Sequence, residues 1–570
     1  MAENTEKSKD TEDLTAKEIN EPQKKQPRIK KKKTGTKASR KMTKRHKFKI
    51  VMASLFVLGG NLLIFLMIWI FRRYDDVQFD QILYQLLSPA AGTNKDLVGD
   101  AMITVVLYGF LCAGAQIFLY ITLAGRAKKL FGRFKRYIKY SASKAAAFLR
   151  KRFMPIASAF LVISITVFIF GLNIHAYIAN SIKESDLIEE EYVFPDKVDI
   201  TFKEKRNLIY IFLESMENTF ADPSVGGNIT DNFIPELSEL ANQNVSFTGE
   251  NGKYGAYSYV GTRWTAAALF AQTSGIVVKL PLSFDFYGSD GTYMPNITTL
   301  GDILEKEGYQ QTVLFGSDGK FAARDVYFKE HGNFNIIDIY DLNEVPDLLP
   351  EPEDDEELYW KWWGCEDKYI FEHAKTEILR LAASGQPFNF MTLTADTHFP
   401  DGCVCELCGN KYEEQYANVI ACSSKQVYEF VEWIKSQEFY ENTTIVISGD
   451  HLTMDPKFLT DIDEDYVRTT YNCIINPAVS PVRENNREFG TFDMFPTTLA
   501  AMGAVIEGDR LAIGTNLFSD VDTLTEKYGY DKLEEELNKR SDFYLETFYA
   551  EESDNTEMKA SPSEIKKKEY

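Results

Sequence analysis

Three long stretches of this sequence contain no charged residue: residues 50–71, 101–124 and 154–178. Uncharged apolar runs above about 18 residues are read as membrane spans, and 22 residues at 1.5 Å rise reach about 33 Å. Acidic residues are missing from two other stretches. Arg28 to Lys49 holds twelve basic residues and no acid, and Arg126 to Arg152 holds eleven and no acid. Elsewhere acidic residues outnumber basic ones. The net charge is −21, with about +19 before residue 181 and about −40 after it. A −40 domain excludes nucleic acid and other polyanions as partners unless a cation intervenes. Histidine is also rare, at six in 570 residues, and there is no internal repeat. Mean hydropathy of −0.26 excludes a chain that lives wholly in lipid.

The Lys and Arg pattern orients the spans. The tail 1–49 and the loop after the second span are basic, whereas the loop between spans one and two carries five Asp and one Lys. Basic segments stay cytoplasmic, so the N-terminus is expected in the cytoplasm and everything after residue ~180 outside the membrane. A cleaved signal peptide fits poorly, because the basic tail and first apolar run are both too long. The tail reads as a solvated topology signal rather than an anionic-lipid patch. The expected organisation is a tail (1–49), a membrane anchor (50–178), a linker (179–205), an outer domain (206–525) and a charged helix with a disordered tail (526–570).

Within the outer domain, NLIYIFLES (207–215), QQTVLFGSD (310–318), FNFMTLTAD (388–396) and TTIVISGD (443–450) read as buried strands separated by helices. Apolar strands alternating with helices predict an α/β doubly wound sheet covered on both faces. Sites in such sheets gather at the carboxyl ends of strands, where Glu214, Asp318, Asp396 and Asp450 fall. EPEDDEEL (351–358) reads as a solvated acidic insertion.

Glu214 in L-E-S and Asp450–His451 in S-G-D-H offer two carboxylates and an imidazole from separate strand ends, a set suited to one divalent cation. In G-T-R-W-T-A-A-A (261–268), Thr262 precedes a helix of small residues. A hydroxyl there is either a helix cap or a nucleophile toward phosphate or sulfate, and Thr265 is the local alternative. Six cysteines lie in the outer domain: Cys365, Cys403, Cys405, Cys408, Cys422 and Cys473. In an oxidising compartment disulfides are the favoured reading, with a zinc knuckle at C-x-C-x-x-C (403–408) plus Cys422 as the alternative.

Together, L-E-S, G-T before a small-residue helix, and S-G-D-H resemble the alkaline phosphatase/sulfatase superfamily, in its lipoteichoic acid synthase and phosphoglycerol transferase branch. LFGSDGKFAARDVYFKEHGNF (314–334), LTADTHFPDG (393–402) and FDMFPTTLAAMG (492–503) agree. The resemblance spans about residues 205–520. It implies an extracellular sulfatase-like doubly wound domain, here following the three transmembrane helices read from the apolar runs. Glu214, Thr262, Asp450 and His451 would hold one divalent ion, usually Mn²⁺, with Mg²⁺ or Zn²⁺ as alternatives. Thr262 would be the nucleophile, and Arg324 and His398 would hold the substrate. The implied donor is phosphatidylglycerol and the acceptor a surface glycan or polyglycerol phosphate, through a phospho-threonine intermediate. The enzymatic alternatives are a phosphodiesterase or a phosphoethanolamine transferase, and the non-enzymatic one is an inactive wall-polymer binding protein.

Departures narrow this. The C/S-x-P-x-R pattern of sulfatases is absent, as is the Pro-Cys-Met pattern of phosphoethanolamine transferases. Lipoteichoic acid synthases usually have five spans rather than three and a Trp where this chain has Ala322. These departures favour decoration of a glycan over a long polymer.

Overall fold

The computed structural model describes residues 44–74, 78–87, 95–123, 142–249, 255–280, 292–352, 357–460, 462–463 and 465–549. The chain divides into two units between Val51 and Met52. Of the first, the described residues are the opening turns of a helix, and the second holds the sheet domain. The basic tail up to residue 43, most of the basic loop after the second apolar run, the centre of the acidic insertion and the C-terminal segment 550–570 lie outside the described residues.

Among the described residues, three helices are long and apolar enough to cross a membrane: Lys47–Arg73, Leu97–Ile121 and Lys151–Gly171. The third is shorter than the apolar run 154–178. Its continuous helix ends at Gly171, and Asn173 adopts a left-handed conformation (φ 52°) before a separate helix, Ile174–Ile182. Asn tolerates that region because its short side chain can bond locally. Between the first two long helices lies a short helix, α1 (Phe79–Leu87).

The domain is built on six strands: β1 (Asn207–Leu213), β2 (Gln310–Phe315), β3 (Asn335–Ile337), β4 (Phe388–Leu393), β5 (Thr443–Gly449) and β6 (Asn472–Ile475). Their order is β3-β2-β4-β1-β5-β6, parallel except for the antiparallel edge strand β6. The four strands read from sequence are the four central ones. Their continuous apolarity has a direct cause. On β1, Leu208, Tyr210 and Phe212 enter one core layer and Ile209, Ile211 and Leu213 the other. A strand covered on both faces gives no polar alternation.

Helices α2 (Thr265–Ser274), α3 (Arg324–Glu330), α4 (Asp367–Ala383), α5 (Gln415–Lys435) and α6 (Tyr530–Asn538) surround the sheet. A buried polar link fixes α2 over β1 and β5. The Tyr210 hydroxyl donates to Gln272 Oε1 at 2.8 Å, and Gln272 Nε2 donates to the Gly449 carbonyl at 3.1 Å.

The segment 179–205, expected as a linker, is folded onto the domain. Ile200–Phe202 pairs antiparallel with Ala504–Ile506, and buried Glu191 accepts from Arg510 at 3.0 Å and from Tyr528 at 2.6 Å. The charged C-terminal stretch likewise packs down through Phe548, with Tyr544 and Phe548 in the core. All seven cysteines are free thiols.

Candidate active site

Register brings the site together. β1 and β5 are paired so that Leu213 lies opposite Gly449, and the next residues in each chain are Glu214 and Asp450. The Asp450 N–H donates to the Leu213 carbonyl at 3.0 Å, carrying the ladder one step past the strand. Gly449 permits this approach. A Cβ there would stand 1.9 Å from the Met216 carbonyl oxygen.

Glu214, Asp450 and His451 are buried, and one ligand atom from each falls within 4.8 Å of the others. Asp450 Oδ1 accepts from the N–H groups of Ser215 (2.8 Å) and His451 (2.6 Å). Its Oδ2 is buried with no hydrogen-bond partner. His451 Nδ1 bonds the Leu452 carbonyl at 2.8 Å, which assigns the proton to Nδ1 and turns the Nε2 lone pair inward. Nε2 lies 3.6 Å from both Glu214 Oε1 and Asp450 Oδ2. Burial and the neighbouring Glu214 charge hold the Asp450 carboxyl well above its usual range. Burial pushes Glu214 up too, but the His451 and His398 charges outweigh it and leave it lowered. Burial opposes charging of His451, yet the two carboxylates raise it. Two crowded carboxylates, an orphaned inward oxygen and an imidazole whose Nε2 faces them are a donor set that fits one divalent cation.

The two threonines separate clearly. Thr262 is fully buried, and its hydroxyl closes its own turn, donating to the Tyr259 carbonyl (2.9 Å) and accepting from the Tyr259 N–H (3.0 Å). Gly261, at φ +72°, makes that turn possible. Thr265, the first residue of α2, is only half-buried. Its Oγ1 donates to Glu214 Oε2 at 3.2 Å and lies 3.3 Å from His451 Nε2. Of the four residues expected to share a cation, three come together, and Thr265 stands where Thr262 was expected.

Arg324 opens α3 and is buried. One of its nitrogens donates to Ser317 Oγ (2.9 Å) and to the Asp318 carbonyl (2.7 Å), while Nε has no partner. Its guanidinium sits 4.3 Å above the Phe315 ring. Burial pulls it down to about 10, which leaves it charged at neutral pH, and Asp318 and Glu214 oppose that fall. The His398 ring lies 4.2 Å from that of Trp363, tilted by 32°, and its Nδ1–H donates to the Phe399 carbonyl at 2.8 Å. Burial lowers it, against the pull of Glu214. The other strand-end carboxylates stay out of the cluster. Asp318 accepts from the Lys320 N–H (2.8 Å) and the Tyr340 hydroxyl (3.2 Å), and Asp396 is raised by burial and by Asp367.

Sequence reasoning missed three contributors. Tyr84 of α1 is buried against the domain, donating to the Ala322 carbonyl at 3.0 Å with its ring 5.2 Å from Trp264. Trp363 packs on His398. Glu534 of α6 braces the turn before Thr265, accepting from the Val260 N–H (2.9 Å) and from Arg263 (2.7 Å). The adjacency of Trp264 to Thr265 was a usable signal, whereas Glu534 sits in an ordinary charged helix.

Among known protein families, the one described as Sulfatase matches residues 206–504. A phosphoglycerol transferase I of Salmonella choleraesuis (strain SC-B67) is 33% identical over 256 residues, covering 44% of this chain and 31% of the relative. The chain thus spans about a third of the length of the curated relatives it matches. Among solved structures, a lipoteichoic acid synthase from Listeria monocytogenes is 16% identical with TM-score 0.42, over 59% of this chain and 82% of that one. A lipooligosaccharide phosphoethanolamine transferase A from Neisseria meningitidis is 13% identical with TM-score 0.44, over 80% of this chain and 84% of that one.

Proposed function

The chain belongs to the sulfatase family, and we propose that it is a membrane-anchored phosphoglycerol transferase with Thr265, not Thr262, as its nucleophile. It moves glycerol phosphate from phosphatidylglycerol to a hydroxyl of a surface glycan or teichoic-acid-type polymer. The observation that carries this reading is the Thr265 hydroxyl, half-exposed and within 3.3 Å of both Glu214 and His451. The named transferase relative supports the reaction class, and the charge pattern of the loops supports an outer location. So does Tyr84, which draws the acidic loop between the first two spans onto the catalytic domain and so to the same side of the membrane.

Glu214, Asp450, His451 and Thr265 would hold one divalent cation, Mn²⁺ on the family resemblance. When bound, it supplies positive charge opposite the phosphodiester and makes the threonine hydroxyl more acidic. Thr265 Oγ1 releases its proton along the bond to Glu214 Oε2 and attacks phosphorus. The P–O bond to diacylglycerol breaks, the departing oxygen takes a proton from solvent, and the glycerophosphoryl group rests on Thr265. Arg324 pairs with the phosphoryl oxygens in an otherwise acidic domain. Neutral His398, with Nδ1–H tied to Phe399, keeps Nε2 as the acceptor for the incoming hydroxyl proton. That hydroxyl attacks phosphorus, the P–O bond to Thr265 breaks, Glu214 returns the proton to Thr265, and His398 passes its own to solvent.

The test is the full chain in phosphatidylglycerol nanodiscs with Mn²⁺. The reading expects diacylglycerol release and a covalent gain of one glycerol phosphate, both lost in Thr265→Ala. Cleavage of phosphatidylethanolamine instead would move the chain to the phosphoethanolamine transferases. Free glycerol phosphate with no glycan-linked product would make it a phosphodiesterase.

A further inference from the structure

Outside the catalytic cluster, three sulfurs converge. Cys405 and Cys408 lie on the loop that follows His398, and Cys422 lies on α5. Cys405 Sγ is 3.7 Å from Cys408 Sγ and 3.7 Å from Cys422 Sγ, and all three sulfurs fall within 4.8 Å of one another. At a Zn–S distance of about 2.3 Å, the S···S edge of a tetrahedron is about 3.8 Å. A disulfide needs sulfurs at about 2.05 Å and would join two of the three, leaving the third unpaired.

The surroundings point the same way. The Cys408 N–H bonds the Cys405 carbonyl at 3.2 Å, forming a tight C-x-x-C turn. The end of the Gln426 side chain, one turn along α5, lies 3.3 Å from Cys422 Sγ and 3.9 Å from Cys405 Sγ. Those values bracket the separation of about 3.6 Å between a sulfur and an oxygen on one tetrahedral zinc. Gln426 Oε1 is buried without a partner, and turning the amide by 180° brings it to the sulfurs.

We propose that Cys405, Cys408 and Cys422, with the Gln426 amide oxygen in fourth place, form a structural zinc site distinct from the catalytic cation site. Three thiols release three protons on binding Zn²⁺, and no oxidant is involved. The donor set is soft, whereas Glu214, Asp450 and His451 are mostly hard oxygen ligands, so the two sites select different ions. The zinc pins the loop that starts at His398 to α5. That loop is held on its other side by Lys361 Nζ on the Val404 carbonyl (3.2 Å) and Trp362 Nε1 on the His398 carbonyl (3.1 Å).

The experiment uses the full chain, purified from membranes without chelator or reductant. Metal analysis is expected to find one zinc per chain that persists in Asp450→Asn and is lost in Cys405→Ser. Should Cys405→Ser fail to fold, the wild-type chain carries the test: Co²⁺ exchanged for zinc gives a sulfur-to-cobalt charge-transfer band. In addition, Cys405, Cys408 and Cys422 become alkylatable only after metal removal. A disulfide-linked peptide joining any two of these cysteines, zinc that disappears in Asp450→Asn alone, or cobalt without the sulfur band would each overturn the proposal.

Discussion

Replacing the two threonines one at a time separates stability from chemistry. In Thr262→Ala, the Tyr259 carbonyl keeps its bond from the Thr262 N–H at 3.0 Å, but the buried Tyr259 N–H loses its acceptor. An orphaned buried donor costs about 1–3 kcal/mol. A domain of about 340 residues unfolds with an entropy near 0.7 kcal/mol/K, so Tm should fall by about 1.5–4 °C. Diacylglycerol release should change little. In Thr265→Ala the order reverses. The half-exposed hydroxyl makes only contacts of 3.2 and 3.3 Å, so Tm should move by less than about 1.5 °C. Activity should fall by about 10⁴-fold or more, as for other removed nucleophiles. Scanning fluorimetry and lipid turnover on the same preparations decide the matter. An inactive Thr262→Ala of normal Tm, beside an active Thr265→Ala, would refute the geometric argument.

Three further outcomes rest on the same geometry. Gly449→Ala sets a Cβ 1.9 Å from the Met216 carbonyl; it should cost about 3 kcal/mol or more and displace Asp450, and a variant with wild-type Tm would show that β5 yields freely. Asp450→Asn removes the repulsion with Glu214, so in chelator it should melt no lower than wild type, while only wild type gains about 2.7 kcal/mol at Mn²⁺ near 100 times its Kd; an equal Mn²⁺ gain in both would remove Asp450 from the ligand set. His331 bonds Asp302 at 3.3 Å and the Tyr293 carbonyl at 2.8 Å, and although burial opposes its charge the Asp302 carboxylate raises it. Its stabilisation is therefore full below the ordinary pKa of about 6.5 and fades as pH rises through the higher folded value; Tm profiles of wild type and His331→Gln that stay parallel across that range would refute it.

The central strands were legible because burial on both faces leaves a continuous apolar run. The edges were not. Asn335–Ile337 is three residues long, too short for any period to register. The segment 179–205 read as a linker because its partner, Ala504–Ile506, lies near the far end of the domain's sequence. Nothing local in I-T-F announces a pairing made that far away. The third apolar run was read correctly as a span but its end was not, for a different reason. Composition continues unbroken through residue 178, but one left-handed Asn173 ends the helix seven residues earlier.

At the site, legibility followed covalent distance from a strand. Glu214, Asp450 and His451 come directly after β1 and β5, so naming the strands named their positions. Thr262 and Thr265 lie three residues apart at the mouth of one helix, and composition treats them alike. What divides them is the turn at Gly261, which folds Thr262 back onto Tyr259 and leaves Thr265 to open α2. That turn is in turn braced by Glu534, from a helix whose E-E-E run looks like solvated surface. A nucleophile is chosen by where a backbone turn aims a hydroxyl, and the groups that set the turn need not be near it in sequence. The cysteines make the same point: C-x-C-x-x-C is compatible with a disulfide or a metal. Only the placement of Cys422 on α5, one helical turn from Gln426, gives the three sulfurs and an amide a common centre.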